Sequence, residues 1–223
     1  ERFEKKDYKL TEDCMKKAGE LGLLGISVPA EYGGMGMPFN TSVLICDKIS
    51  GANGSFSTAF GAHTGIGTLP ILLYGDDAQR SKYLPKLATG EWMGCYCLTE
   101  PGAGSDANSG KTKAVLTDDG KHYLITGQKM WISNAGFADV FIVFARIEDD
   151  KNITGFILEK GMEGITLGEE EQKLGLNSSS TRQVFFNDTV VPAKNMLAGR
   201  GEGFKIAMNS LNVGRIKLAA ACL

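Results

Sequence analysis

Histidine is scarce in this 223-residue chain, with His63 and His122 the only two. That excludes a multi-histidine metal centre and leaves a Ser-His-Asp triad little to build on. The five cysteines, an odd number, form no CxxC pair, so neither a disulfide framework nor a zinc site is expected. Apolar runs such as Val140 to Ala145 are too short to cross a bilayer. Neither charge sign dominates: the formal net charge is -2 and the signs are interspersed. This gives no electrostatic footprint for nucleic acid or for an anionic membrane surface. What is present is ordinary globular material, 43% hydrophobic, enough for one large core or two small ones. Strong chemistry here would come from an organic cofactor.

Along the chain the character changes once and then changes back. Residues 1–91 alternate helical spacing with glycine-rich breaks. Thr11 is expected to cap a helix that carries Met15, Ala18 and Leu21 on one face. PAEYGGMGMP reads as a loop, Phe56 to Leu73 as helical, and Asp76 or Asp77 as the start of a last helix. Residues 92–200 hold short β-type runs: MGCYCL, KTKAVLT, HYLITG, MWIS, VFIVFARI, TGFILE and RQVFFND. Asp119-Gly120 marks a hairpin between two of them, and Glu169 to Glu171 reads as a solvated turn. From residue 201 a helical period resumes and runs to the last residue without a cap signal, which reads as the first helix of a longer helical domain. The expected fold class is α+β: an N-terminal helical domain, an antiparallel β-barrel-like middle domain, and the start of a C-terminal helical bundle.

The segment TEPGAGSDANSGKT (Thr99 to Thr112) approaches two phosphate-loop signatures. GxGxxA fits Gly102, Gly104 and Ala107, but a dinucleotide fold needs a helix to follow, and the next residues alternate like a hairpin. The P-loop spacing is off by one residue, and again a strand succeeds it. A glycine-rich turn with capping Ser105 and Asp106 is the plain alternative. His63 reads as a satisfied core histidine, and Met35 and Met37 as loop packing or a channel wall. Tyr96 and Leu98 alternate with Cys95 and Cys97, and the cysteines are expected inside.

YCLTEPGAGSDANS, then GQKMWISNAG, then KLGLNSSSTRQVFFNDTVVP, then GFKIAMNSLNVGR, in that order, resemble the acyl-CoA dehydrogenase family of flavoproteins. The wording lies nearest the very-long-chain branch. This resemblance implies FAD, bound by Tyr96, Leu98, Thr99, Gly104 and Ser105 from one segment and by Trp131, Ile132 and Ser133 from another. Ser105 would also touch the acyl-CoA, with Asn212 and Arg215 near its thiol arm. The implied reaction is α,β-dehydrogenation of a fatty acyl-CoA thioester, with electron-transfer flavoprotein as acceptor and a homodimer or homotetramer as the assembly. The implied compartment is the cytoplasm of a bacterium or the mitochondrial matrix of a eukaryote.

Of the two family positions for the catalytic glutamate, one matches Gly214, which has no side chain; the other would lie beyond the chain. No catalytic base and no metal ligand is therefore assigned. Glu100, beside Pro101, reads as a loop carboxylate. These residues alone are expected to bind flavin poorly and turn over little. An acyl-CoA oxidase or flavin monooxygenase offshoot, and a catalytically weak assembly relative, stay open as alternatives.

Overall fold

The computed structural model describes residues 1–223. Five helices come first: α1 (Tyr8–Glu20), α2 (Phe39–Ala52), α3 (Gly54–Ala62), α4 (Leu69–Tyr74) and α5 (Asp77–Thr89). The cap of α1 is Asp7, whose carboxylate accepts from the Leu10 amide, and not Thr11. Asp7 lies one residue before the helix, where the free amides need an acceptor. Thr11 is fully buried inside α1 and donates to the Ser178 carbonyl, tying the helix to a distant loop. Asp76 caps α5 in a reciprocal pair with Gln79, worth about 1 kcal/mol.

The helix expected over Phe56 to Leu73 is interrupted. Residues His63–Gly67 widen into a π turn between α3 and α4. The sequence there, HTGIG, has two glycines, and Gly67 sits against Gly94 backbone to backbone. A Cβ on Gly67 would come within 2.8 Å of the Gly94 carbonyl carbon. No other residue permits this approach, so the helical layer and the sheet meet here with no side chain between them.

Eight strands follow: β1 (Gly94–Cys97), β2 (Lys113–Leu116), β3 (His122–Ser133), β4 (Val140–Ile147), β5 (Thr154–Glu159), β6 (Ile165–Glu170), β7 (Thr181–Pro192) and β8 (Met196–Leu197). Their order is β6-β7-β3-β2-β4-β5-β8, with β1 added against β4. The sheet is mostly antiparallel, although β1 and β2 both run parallel to β4. Gly120 turns between β2 and β3 at φ 67, as the Asp-Gly pair predicts. HYLITG and MWIS are one strand, β3, bent by a bulge rather than divided by a turn. Glu169 and Glu170 belong to β6, not to a solvated turn: Glu170 pairs with Arg182 at 2.6 Å and accepts from Ser180 and Thr181. The acid run masked the alternation of β6, which shows only through its partner β7.

Two cores flank β1. Cys95 and Cys97 join Phe141, Val143 and Phe156 on one side, while Tyr96 and Leu98 join Ile142, Phe144 and the helices on the other. The period-2 geometry of a strand produces this division. Helix α6 (Gly203–Ala221) then lies across the helical layer, burying Ile206, Ala207 and Ser210.

Candidate functional site

After β1 the chain turns sharply through Glu100 and Ala103, whose amides and carbonyls bond each other reciprocally at 3.1 Å. Glu100 is no free loop carboxylate: it is 8% exposed and meets Lys129, 2% exposed, at 2.7 Å. The Lys111 and Thr112 amides donate to the same carboxylate. Burial alone would raise the Glu100 pKa, but the Lys129 charge and these donors outweigh it and hold the group below its ordinary value. Lys129 also donates to the Leu98 carbonyl. A single buried cation thus fastens the glycine turn to β3.

Two residues beyond Lys129, β3 bulges. Pairing with β7 slips between Lys129 and Ile132, and Trp131 takes φ 60, a left-handed conformation unusual for a bulky residue. The Met130 amide bonds the Thr99 carbonyl at 2.9 Å. The bulge swings the indole out of the sheet, leaving it 54% exposed.

What the indole faces is a cavity of about 270 Å³. Tyr96, Leu98, Thr99, Gly104, Ser105, Trp131, Ile132 and Ser133 all line it, and so does Arg215 from α6. The structure therefore brings together every residue expected from the sequence at the cofactor, and two of the three expected at the substrate, Ser105 and Arg215. Asn212 lies outside the lining, where its side-chain oxygen accepts from Arg215 at 2.5 Å. Only a three-residue turn, Ala107–Ser109, follows Ser105, so no helix N-terminus is offered to a phosphate. A Cβ on Gly102 or Gly104 would meet no protein atom within 4 Å.

Thr99, Ser105 and Ser133, each with a hydroxyl, are among the residues that line this cavity. A flat aromatic wall, hydroxyl side chains and open glycine backbone fit a planar polar ring with a phosphate tail. The Tyr96 hydroxyl bonds the Ala207 carbonyl instead. Cys95 and Cys97 face the sheet core, and burial pushes the Cys95 thiol well up, so it is no nucleophile.

Along α6 a second, larger cavity of about 450 Å³ opens, sharing Ile66, Ser133, Leu211 and Arg215 with the first. Gly54, Ser57, Gly61 and Ala62 of α3 form one wall; Leu211, Gly214, Leu218 and Ala221 of α6 form another. Sequence reasoning missed the helical contributors Ile66, Met208 and Leu211 of the smaller cavity. The i, i+3, i+7 spacing of Met208, Leu211 and Arg215 was the available signal. Ile66 had none, because the π turn that aims it depends on contact with β1. Met35 and Met37 line neither cavity and are about half exposed.

His63, at the base of this junction, is fully buried. The Gly94 amide donates to Nδ1 at 3.0 Å, so Nε2 carries the hydrogen and donates to the Leu87 carbonyl at 2.9 Å. Burial lowers its pKa to about 4. It is the satisfied core histidine that the sequence suggests.

The fold and cavities define the class first: an α+β protein whose ligand site lies where a helical layer meets a mostly antiparallel sheet. The family models for the N-terminal and middle domains of acyl-CoA dehydrogenase match residues 1–91 and 95–189. A probable acyl-CoA dehydrogenase of Bacillus subtilis is 52% identical over 209 residues, covering 94% of this chain and 35% of that protein. The human mitochondrial very long-chain specific acyl-CoA dehydrogenase is 46% identical over 211 residues, covering 91% and 32%. A crystal structure of an acyl-CoA dehydrogenase complexed with FAD from Bacillus anthracis superposes with a TM-score of 0.95 at 48% identity, covering 98% and 38%. The chain belongs to the acyl-CoA dehydrogenase family, and it spans about a third of the length of these relatives.

Proposed function

We propose that the protein containing this chain is an FAD-dependent dehydrogenase that introduces an α,β double bond into fatty acyl-CoA thioesters. The observation that carries this reading is the convergence of the glycine turn, the Trp131 bulge and α6 on one cavity lined by hydroxyl residues. In the proposed arrangement Thr99, Ser105 and Ser133 would hold FAD by hydrogen bonds, Trp131 would pack beside it, and Gly104 would let it approach the backbone. Bound FAD would supply the hydride acceptor. The chain's own share is to hold the thioester beside the cofactor, with Arg215, supported by Asn212, near the thiol arm, and to exclude water with Tyr96, Leu98 and Ile132.

No carboxylate lines either cavity, and Gly214 contributes only open space. The base that removes the α-proton is therefore proposed to come from elsewhere in the protein. Residues 1–223 by themselves should show little turnover. The larger cavity, walled by small residues on α3 and α6, supports a long acyl chain as substrate. Electron-transfer flavoprotein is the proposed acceptor and a homodimer or homotetramer the proposed assembly. The proposed compartment is a bacterial cytosol or a mitochondrial matrix.

The test is an anaerobic titration of the FAD-loaded whole protein with acyl-CoAs of increasing length, followed at the flavin absorption bands. Bleaching that favours long chains is expected; a flavin that binds acyl-CoA without reduction would move the protein to the assembly-relative reading. Rapid oxygen consumption after bleaching would favour the oxidase reading.

A further inference from the structure

Ile132 and Ser133 lie between two left-handed corners, Trp131 at φ 60 and Asn134 at φ 67. Each corner is anchored to a different part of the fold. At the first, the Met130 amide bonds the Thr99 carbonyl and fastens the bulge to the glycine turn. At the second, the Asn134 side-chain Nδ2 donates to the Ala59 carbonyl of α3 at 2.9 Å, with the Gly94 carbonyl of β1 at 3.5 Å, the outer limit of a bond. The Asn134 backbone N–H donates to the Ser180 carbonyl at 2.9 Å, and its carbonyl accepts from the Phe137 amide at 3.0 Å. Asn134 is fully buried, and each of these partners lies between residues 59 and 180.

Two demands select the residue type. Positive φ suits glycine, asparagine and aspartate, and of the three only asparagine has a side-chain donor for a carbonyl. Ala59 is itself buried, and Ser57, Thr58, Gly61 and Ala62 around it belong to the α3 wall of the larger cavity. Ser133, one residue before Asn134, lines both cavities. Pairing with Thr181 of β7 holds Ser133 within the sheet; the Asn134 amide holds it against the helical layer. One side chain thus sets the spacing between the edge of the smaller cavity and the wall of the larger.

We infer that Asn134 is a positioning residue: through its bond to Ala59 it fixes Trp131, Ile132 and Ser133 relative to α3, and so aligns a bound flavin with the acyl thioester. This rests on the dehydrogenase reading above and adds a residue to its machinery. Asn134 lines neither cavity and acts only through its neighbours. A reacting centre displaced by about 1 Å loses on the order of 100-fold in rate, whereas binding is spread over many contacts and responds less. Asn134 therefore serves the rate of flavin reduction more than the affinity for either ligand.

The experiment uses the FAD-loaded whole protein. Asn134→Gly keeps the positive φ and removes the donor; Asn134→Asp keeps the shape and puts an acceptor where the donor was. The readouts are the flavin absorption bands without substrate, the dissociation constant for FAD, and, with octanoyl- and palmitoyl-CoA, KM and the reduction rate per bound flavin. Both variants should shift the flavin bands and reduce flavin about 10- to 100-fold more slowly, with KM and FAD affinity little changed. Wild-type bands and a wild-type rate per bound flavin, beside a lower urea midpoint, would overturn the inference by making Asn134 a purely structural residue. A raised KM at unchanged reduction rate would overturn it as well. If Asn134→Gly does not fold, Asn134→Asp decides on the same readouts, and failure of both to hold FAD counts against positioning. If neither thioester reduces the wild-type flavin, the dehydrogenase reading falls, and the band comparison still decides whether Asn134 sets the cofactor wall; if the wild type is reduced and the variants match it, only the Asn134 role falls.

Discussion

The two adjoining cavities are built in opposite ways. The smaller is made by positive construction: a reciprocal turn, a buried ion pair and a bulge hold specific groups at specific points. The larger is made by omission, from glycine, alanine and serine placed where two helices could otherwise close together. A site that must orient a reacting centre needs the first kind of wall, and a site that must house an aliphatic chain needs the second. Mutations should therefore act differently on the two, through stability and orientation in one and through length in the other.

The largest effect is expected at the ion pair. Lys129→Met leaves the Glu100 carboxylate buried without its counter-charge, at a cost of about 3–5 kcal/mol in urea unfolding. Glu100→Gln combined with Lys129→Met should recover part of that loss, because no unpaired charge remains. A double variant no better than Lys129→Met would show that the pair is not what stiffens the smaller cavity.

Next comes the seam under both cavities. His63 must stay neutral to accept from the Gly94 amide. Its folded pKa of about 4 lies below the unfolded 6.5, so the unfolded chain binds the proton first. This contribution is fully present above pH 6.5 and is lost as the pH falls through 4, amounting to roughly 3 kcal/mol. Urea midpoints measured across that range should fall, and His63→Gln should flatten the slope. An unchanged slope would remove His63 from the account of the seam.

Smaller effects separate the cavities themselves. Trp131→Ala should weaken FAD binding by about tenfold, read by equilibrium dialysis, with little change in unfolding because the indole is half exposed. Gly61→Leu, where a Cβ meets no atom within 4 Å, should leave FAD binding alone and shorten the preferred acyl chain. If Gly61→Leu weakened FAD binding and left chain length untouched, the division between the two walls would collapse.

Much of this was legible in the residues. The Asp-Gly hairpin, the alternation of Cys95 to Leu98 and the glycine turn after β1 are local patterns, and local patterns survive folding. The motif residues of the smaller cavity were legible only through the family resemblance of the segments that carry them. Less legible were features that need a partner distant in sequence. Thr11 resembles a cap until Ser178 is brought to it, and Glu170 resembles solvated charge until Arg182 pairs with it. Lys129 reads as an ordinary strand lysine until Glu100 is brought to it.

The amino-acid order alone determined that the chain alternates helical and extended periods and that its glycine turn precedes a strand instead of a phosphate-binding helix. Those properties depend on spacing and side-chain type over a few residues. Only the tertiary structure decided that Trp131 leaves its sheet, that a π turn aims Ile66 at both cavities, and that Lys129 is buried against Glu100. Each depends on which distant backbone comes close enough to bond, crowd or desolvate the residue, and no local pattern encodes that distance.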